Sequence, residues 1–344
     1  MELKNIDFGN VFVSAGTLNF FGQGWPYHRV YKWLFKKGFD FSGATFISKT
    51  TTFSPRQGNM PIRRDCQPIV KVSGAKVYKA TKEALRLRFL EMQSLFAPDC
   101  IKVDLLKGIA FNSVGLSGPG VINLLNRDIW QNMSVPFMVS FMSLGNVLKE
   151  KLNETKLFTE LMMEALSEFK SPFGIQVNVL CPNTGHPTKG MIKDSLAILG
   201  VISKLGIPVD LKIGVSDAYE AGIDFIKEIE RSGLCDCLTC SNAIPYGKME
   251  DQINWKKICG NKSPLEDFGG GALSGKPLFP IVLNWLRKVR WAGVKMPIKV
   301  GGGILSSDNA RVMFLNGANA IELGVVSILR PWRVKSIIDI CKIK

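Results

Sequence analysis

The chain has 344 residues, 46% of them apolar, and 44 Lys and Arg against 29 Asp and Glu leave a net charge of +15. That length suits one α/β barrel of roughly 250 residues with insertions better than two equal domains, and the apolar fraction is ample for a core. No apolar run reaches the roughly 20 residues that span a bilayer, and residues 1–10 are polar without a signal-peptide core, so the expected compartment is the cytoplasm.

In chain order, short apolar runs rich in β-branched and aromatic residues predict strands at residues 11–15, 44–48, 136–141, 175–180, 209–213, 235–240, 297–300 and 320–323. Apolar residues at helical spacing predict helices between them at 145–170, 217–231, 277–291, 309–317 and 333–341. Strands alternating with helices pair in parallel through right-handed crossovers. Both faces of such a sheet are covered, which accounts for strands that are apolar throughout. Eight units argue for a closed (β/α)8 TIM barrel over an open sheet, and the whole chain, 1–344, is read as that single barrel. Two stretches fall outside the repeat. Residues 67–106 are long and Lys-rich, with a helix-like centre at 81–96, and read as an insertion. Residues 247–271 are polar and Gly-rich, and read as a mobile active-site loop.

The positive excess is spread along the chain, with only short clusters such as Arg63-Arg64 and Lys256-Lys257. It favours a Lys-rich solvated surface over an anionic partner. The eight Cys read as reduced thiols. Cys235, Cys237 and Cys240 have a metal-like spacing, but they fall in a predicted strand and read as buried core residues. The only His are His28 and His186, too few for a three-His metal site, so no metal is expected.

In a barrel of this kind the chemistry sits just past the C-terminal ends of the strands. Those positions hold Ala15-Gly16-Thr17, Lys49-Thr50-Thr51-Thr52, Asn178, Cys181, Pro182, Asn183 and Thr184 for the first, second and fourth strands. They hold Lys212, Ser241-Asn242, Gly301-Gly302-Gly303 and Gly324-Val325 for the last four. Asn112-Ser113-Val114-Gly115-Leu116 lies between the second and third. Glycines on the last two strands let backbone N–H groups close on a phosphate, and a helix opening at Ser306-Ser307-Asp308 would add its partial positive charge. Lys49 and Lys212, in the same layer, suit the anionic form of a reduced flavin or an anionic substrate. Asn112, Asn178, Asn183 and Asn242 each offer donors and an acceptor, which suits a planar ligand with alternating N–H and C=O groups. Cys181 is the thiol beside this set and can serve as a general base.

These residues, in this order, resemble the dihydroorotate dehydrogenase family. The resemblance rests on Ile47-Ser48-Lys49-Thr50-Thr51-Thr52 with Pro55-Arg56-Gln57-Gly58-Asn59, and on Asn112-Ser113-Val114-Gly115-Leu116. It continues in Asn178-Val179-Leu180-Cys181-Pro182-Asn183-Thr184, Gly270-Gly271-Ala272-Leu273-Ser274-Gly275, Gly302-Gly303-Ile304 and Leu323-Gly324. It implies FMN as cofactor and oxidation of (S)-dihydroorotate to orotate in de novo pyrimidine biosynthesis, with hydride to flavin N5 and the proton to Cys181. Cys181 and Lys49 match catalytic positions of the soluble, cysteine-base branch. Asn112, Gly115, Leu116, Asn178, Asn183 and Asn242 match substrate contacts. Ala15, Gly16, Lys49, Thr50, Asn178, Lys212, Ser241, Gly275, Gly302, Gly303, Gly324 and Val325 match cofactor contacts. The implied partners are dihydroorotate and orotate, a homodimer mate and an iron–sulfur flavin electron-transfer subunit, with no membrane and no nucleic acid. The chain departs from the family at residues 67–106, at Leu180 and Gly118, and at Val325, where a Thr hydroxyl is frequent. The alternatives are a tRNA-dihydrouridine synthase-like or dihydropyrimidine dehydrogenase-like FMN barrel, and a flavin-binding protein without turnover.

Overall fold

In this computed structural model the described residues are 1–69, 98–179, 188–240 and 242–342, with 188–193 described as backbone. A short antiparallel hairpin opens the chain, β1 (Glu2–Leu3) with β2 (Ile6–Asp7). Then come β3 (Val11–Val13), α1 (Pro26–Leu34), β4 (Thr45–Phe46), β5 (Ile101–Asp104), β6 (Ile109–Asn112), α2 (Val121–Leu125), β7 (Phe137–Phe141) and α3 (Leu148–Ala165). The middle of the chain holds β8 (Phe173–Asn178), α4 (Thr188–Ile202), β9 (Val209–Ile213), α5 (Val215–Ser232), β10 (Cys237–Cys240), β11 (Ile244–Pro245) and α6 (Trp255–Cys259). The last part holds β12 (Ala272–Gly275), α7 (Leu278–Trp291), β13 (Ile298–Val300), α8 (Ser307–Leu315), β14 (Ala320–Leu323), α9 (Val326–Leu329) and α10 (Val334–Ile340).

Eight parallel strands run in the order β4-β3-β14-β13-β10-β9-β8-β7. The chain beyond β4 closes the ring onto β7. Ile47 bridges Met138, Thr51 bridges Phe141, and the Ser48 and Thr51 N–H groups donate to the Met138 and Ser140 carbonyls, each at 2.9 Å. The result is a TIM barrel whose eight strands fall at the eight apolar runs of the sequence. Every residue of β7, β8 and β9 is buried, as expected for strands covered on both faces. The barrel's N-terminal end is plugged by the hairpin: Leu3 and Phe8 pack with Phe12, Ile47, Met138, Cys237 and Ala320.

Three features were not legible as periodicity. A second, antiparallel sheet of order β11-β12-β6-β5 lies beside the barrel, with Leu273 opposite Phe111 and Val103 opposite Ala110. Its strands are two to four residues long and carry Asn112, Ser274 and Gly275, so no apolar run marks them. Residues 101–104 of the expected insertion belong to this sheet, while 70–97 lie outside the described residues. The helix expected at 217–231 is broken at Gly222, whose φ of 76° only glycine adopts readily. Within 247–271, Asn254 caps α6 by accepting from the Lys257 N–H at 2.9 Å, and the Trp255 indole donates to the Lys248 carbonyl at 2.9 Å.

Candidate active site

One open cavity of about 310 Å³ occupies the C-terminal mouth of the barrel. Its lining includes Ala15 and Gly16 after β3, Lys49 and Thr50 after β4, Asn112 at the end of β6 with Gly115 and Leu116 beyond it, and Asn178 at the end of β8. Lys212 on β9, Asn242 after β10, Gly275 on β12, Gly302 and Gly303 after β13, and Gly324 and Val325 after β14 complete the set. The remaining expected site residues, Cys181, Asn183 and Ser241, lie outside the described residues. The strands converge because barrel topology places all their C-terminal ends on one rim.

Local contacts fix this layer. The Lys49 ammonium donates to the Ser117 carbonyl at 2.6 Å and lies 5.1 Å from the Phe20 ring centre. The Asn242 amide donates to the Asn178 side-chain oxygen at 3.0 Å, orienting both amides. The Thr50 and Ser140 hydroxyls share a bond of 2.9 Å. The segment after Pro55 braces the 112–116 loop. Arg56 Nε donates to the Gly115 carbonyl and Asn59 Nδ2 to the Ser113 carbonyl, each at 2.7 Å. Gly58 is required there, because a Cβ would press against the Val114 carbonyl oxygen at 2.6 Å. Leu116 itself is held at φ 61°, an uncommon conformation for a residue with a Cβ.

The glycines at the last two barrel strands form a close backbone cradle. A Cβ on Gly303 would stand 2.7 Å from the Gly275 carbonyl oxygen and 2.8 Å from the Phe279 nitrogen. One on Gly324 would meet Ser14 Cβ at 3.2 Å. Such a cradle fits a phosphate bound by backbone N–H groups. The helix start at the cavity differs from the one expected. Leu278, the first residue of α7, and Val325, just before α9, line it. Ser306, Ser307 and Asp308 do not, because Ile304 and Leu305 separate the glycines from α8 and the Ser306 hydroxyl instead caps Asn309 at 3.2 Å.

At the floor of the cavity lies a charged layer of which the sequence reading singled out Lys212 alone. Lys212 Nζ is 2.7 Å from Glu322 Oε2. Lys299 Nζ is 2.8 Å from Asp210 Oδ2 and 3.2 Å from Glu322 Oε1. Gln176 donates to both carboxylates, at 2.9 Å to Asp210 and 2.6 Å to Glu322, and Thr239 donates to Asp210 at 2.6 Å. Burial alone would raise the Glu322 pKa, but Lys212 and Lys299 outweigh it and hold the carboxyl at about 2. Burial opposes the Lys299 charge, yet Asp210 and Glu322 push its pKa up to about 12. A signal was present: β13 and β14 each carry one polar residue in an apolar run, Lys299 and Glu322, and β8 and β9 carry two each, Gln176 with Asn178 and Asp210 with Lys212. Other cavity residues were missed for lack of any motif, among them Trp25, Tyr27, Met60 and Phe111.

The cysteines of the 235–240 run are all buried, and burial pushes the Cys235 thiol up to about 12 and those of Cys237 and Cys240 well above the ordinary value. They are core thiols with little thiolate character.

The family described as dihydroorotate dehydrogenase matches residues 98–342, most of the chain. The chain belongs to the dihydroorotate dehydrogenase family. Among its curated relatives in the family are catalytic subunits of dihydroorotate dehydrogenase B (NAD(+)). That of Halalkalibacterium halodurans is 27% identical over 236 residues, covering 66% of this chain and 70% of that protein. That of Bacillus caldolyticus is 26% identical over 273 residues, covering 78% of each. Crystal structures of the Eimeria tenella dihydroorotate dehydrogenase share the fold. The ferulenol complex superimposes with a TM-score of 0.63 at 16% identity, over 98% of this chain and 82% of the other. The ligand-free form gives 0.62 over 98% and 85%. The family is flavin-dependent in general, and the glycine cradle fits that requirement. Among the described residues no helix is long and apolar enough to cross a membrane.

Proposed function

We propose that this protein oxidises (S)-dihydroorotate to orotate in de novo pyrimidine biosynthesis, using FMN. The observation that carries the reading is convergence: two lysines, three asparagine amides and a glycine cradle, drawn from the ends of different strands, meet in one cavity. Gly275, Gly302, Gly303 and Gly324 would hold the FMN phosphate, with Ala15, Gly16, Thr50, Ser241 and Val325 along the cofactor. Bound FMN would supply a two-electron acceptor.

The chain's own residues do the rest. Asn112, Asn178, Asn183 and Asn242 hold the pyrimidine ring and carboxylate, with Gly115 and Leu116 shaping the loop above it. Lys49 presents positive charge to the anionic ligands, and Lys212, whose charge Glu322 balances at 2.7 Å, lies beside the cofactor. The apolar wall of Trp25, Tyr27, Met60 and Phe111 limits water around the reacting atoms. Cys181 accepts the C5 proton. A thiol of ordinary pKa about 8.5 is a usable base slightly above neutrality.

The family match favours this reading over a dihydrouridine synthase. The relatives' status as catalytic subunits of an NAD(+)-type enzyme supports a partner electron-transfer subunit; we read that partner as an iron–sulfur flavin protein, with a homodimer of this chain at the centre, in the cytoplasm. Anaerobic mixing of the purified protein with dihydroorotate tests the reading: the flavin's visible band should bleach. A yellow protein unaffected by dihydroorotate would sink it, and denaturation that releases no FMN would sink the cofactor assignment.

A further inference from the structure

Lys212 stands on β9 and Glu322 on β14, two strands that are not neighbours in the barrel. Their 2.7 Å contact therefore crosses the barrel interior, and both side chains reach the cavity while almost wholly buried. The Glu322 carboxylate is held from four sides. Oε2 accepts from Lys212 and, at 3.0 Å, from the Ser14 hydroxyl; Oε1 accepts from Gln176 at 2.6 Å and faces Lys299 at 3.2 Å. Lys299 is matched by Asp210 at 2.8 Å, which leaves Glu322 to balance Lys212. Two cations and two anions cancel, so the wall beneath the ligand is neutral as a unit.

We propose that Glu322 is a positioning residue that draws the Lys212 ammonium into the barrel layer and cancels its charge, setting a low reduction potential for flavin bound above it. This rests on the FMN reading given above. A two-electron-reduced flavin ring that has lost its N1 proton is an anion, while the oxidised ring is neutral. A net positive charge at the cavity wall would favour the reduced form, strongly so in a dry interior of low dielectric. A lysine neutralised by its carboxylate gives little such bias.

The test is the FMN midpoint potential, read spectroscopically against a reference dye, in wild type, Glu322→Gln and the double variant Lys212→Met/Glu322→Gln. Glu322→Gln keeps the shape and strips the charge. It should raise the reduced-to-oxidised ratio at a fixed potential at least tenfold, about 30 mV upward for a two-electron couple. It should also tighten sulfite addition to the flavin at least tenfold. The double variant restores neutrality and should return to the wild-type potential. It replaces a buried ion pair by neutral side chains, a change often tolerated where the single one is not, so it decides the matter if Glu322→Gln does not fold. An unmoved potential in Glu322→Gln overturns the proposal, as does a double variant with a potential below wild type, the result of removing an uncompensated cation. A wild type that neither retains nor rebinds FMN overturns the cofactor reading and this proposal together; the other outcomes leave that reading intact.

Discussion

The N-terminal end of the barrel interior is filled by Leu3, Phe8, Phe12, Ile47, Met138, Cys237 and Ala320, whereas the layer above it holds Gln176, Asp210, Lys212, Thr239, Lys299 and Glu322. The two meet at Lys299, whose ammonium lies 4.0 Å from the Phe12 ring centre and 3.9 Å from the Met138 sulfur. The apolar end needs only volume and shape, and each buried Leu, Phe, Ile or Met side chain there contributes about 1.5–3 kcal/mol by leaving water. The polar layer needs complete pairing, because a single buried charge left alone costs more than the pair returns. That difference separates stability at one end from chemistry at the other, and it can be tested from both sides.

The largest effect should come from the chemical rim. Cys181→Ala should retain FMN and bind orotate, yet slow flavin reduction by dihydroorotate about 10²–10⁴-fold, the usual worth of a general base. Stopped-flow reduction at the wild-type rate would remove Cys181 from that role. Cys181→Ser should keep part of the activity, with a more alkaline optimum.

In the charged layer, Lys299→Met should cost about 3–5 kcal/mol, since it strands the buried Asp210 carboxylate and leaves Glu322 with Lys212 alone. Urea unfolding measures it, and a loss under about 1 kcal/mol would mean that the layer does not depend on pairing. The same layer predicts an acid limb. Glu322 titrates near 2 in the folded protein against an ordinary 4.5. Its contribution to stability is therefore full above about 4.5 and is lost as pH falls from there toward 2. Glu322→Gln should flatten that part of the stability profile, and a profile unchanged by the substitution would contradict the pairing. At the apolar end, Ile47→Val should cost only about 0.5–1.5 kcal/mol and leave the flavin potential where it was. A shifted potential would show that the two layers are coupled.

The comparison also marks where sequence reasoning ran out. The loop residues Asn112 to Leu116 were recognisable as a motif, but not the small sheet beside them, because β5, β6, β11 and β12 are only two to four residues long, too short to show a period even though Ile109, Phe111, Ile244 and Leu273 are buried in the core. The break at Gly222 looked like helix, since one glycine does not disturb the apolar spacing around it. The glycine cradle was legible in Gly302, Gly303 and Gly324, whereas the helix starts that line the cavity beside it, at Leu278 and Val325, carry no capping motif. Ser306 has the chemistry of a helix cap and accepts from the Asn309 N–H, but neither it nor Ser307 lines the cavity.

Composition and periodicity determined the eight barrel strands, because a parallel strand covered on both faces must be a short apolar run close to its folded length. They also placed Lys49, Asn178, Lys212 and Asn242 on one rim, because in such a barrel every strand ends on the same side. The tertiary structure alone decided which charges meet. Lys212 and Glu322 are 110 residues apart in sequence, and each by itself is a polar interruption in an apolar strand. A buried charge is tolerable only when its partners arrive in space, so the pairing became visible once the barrel had closed around it.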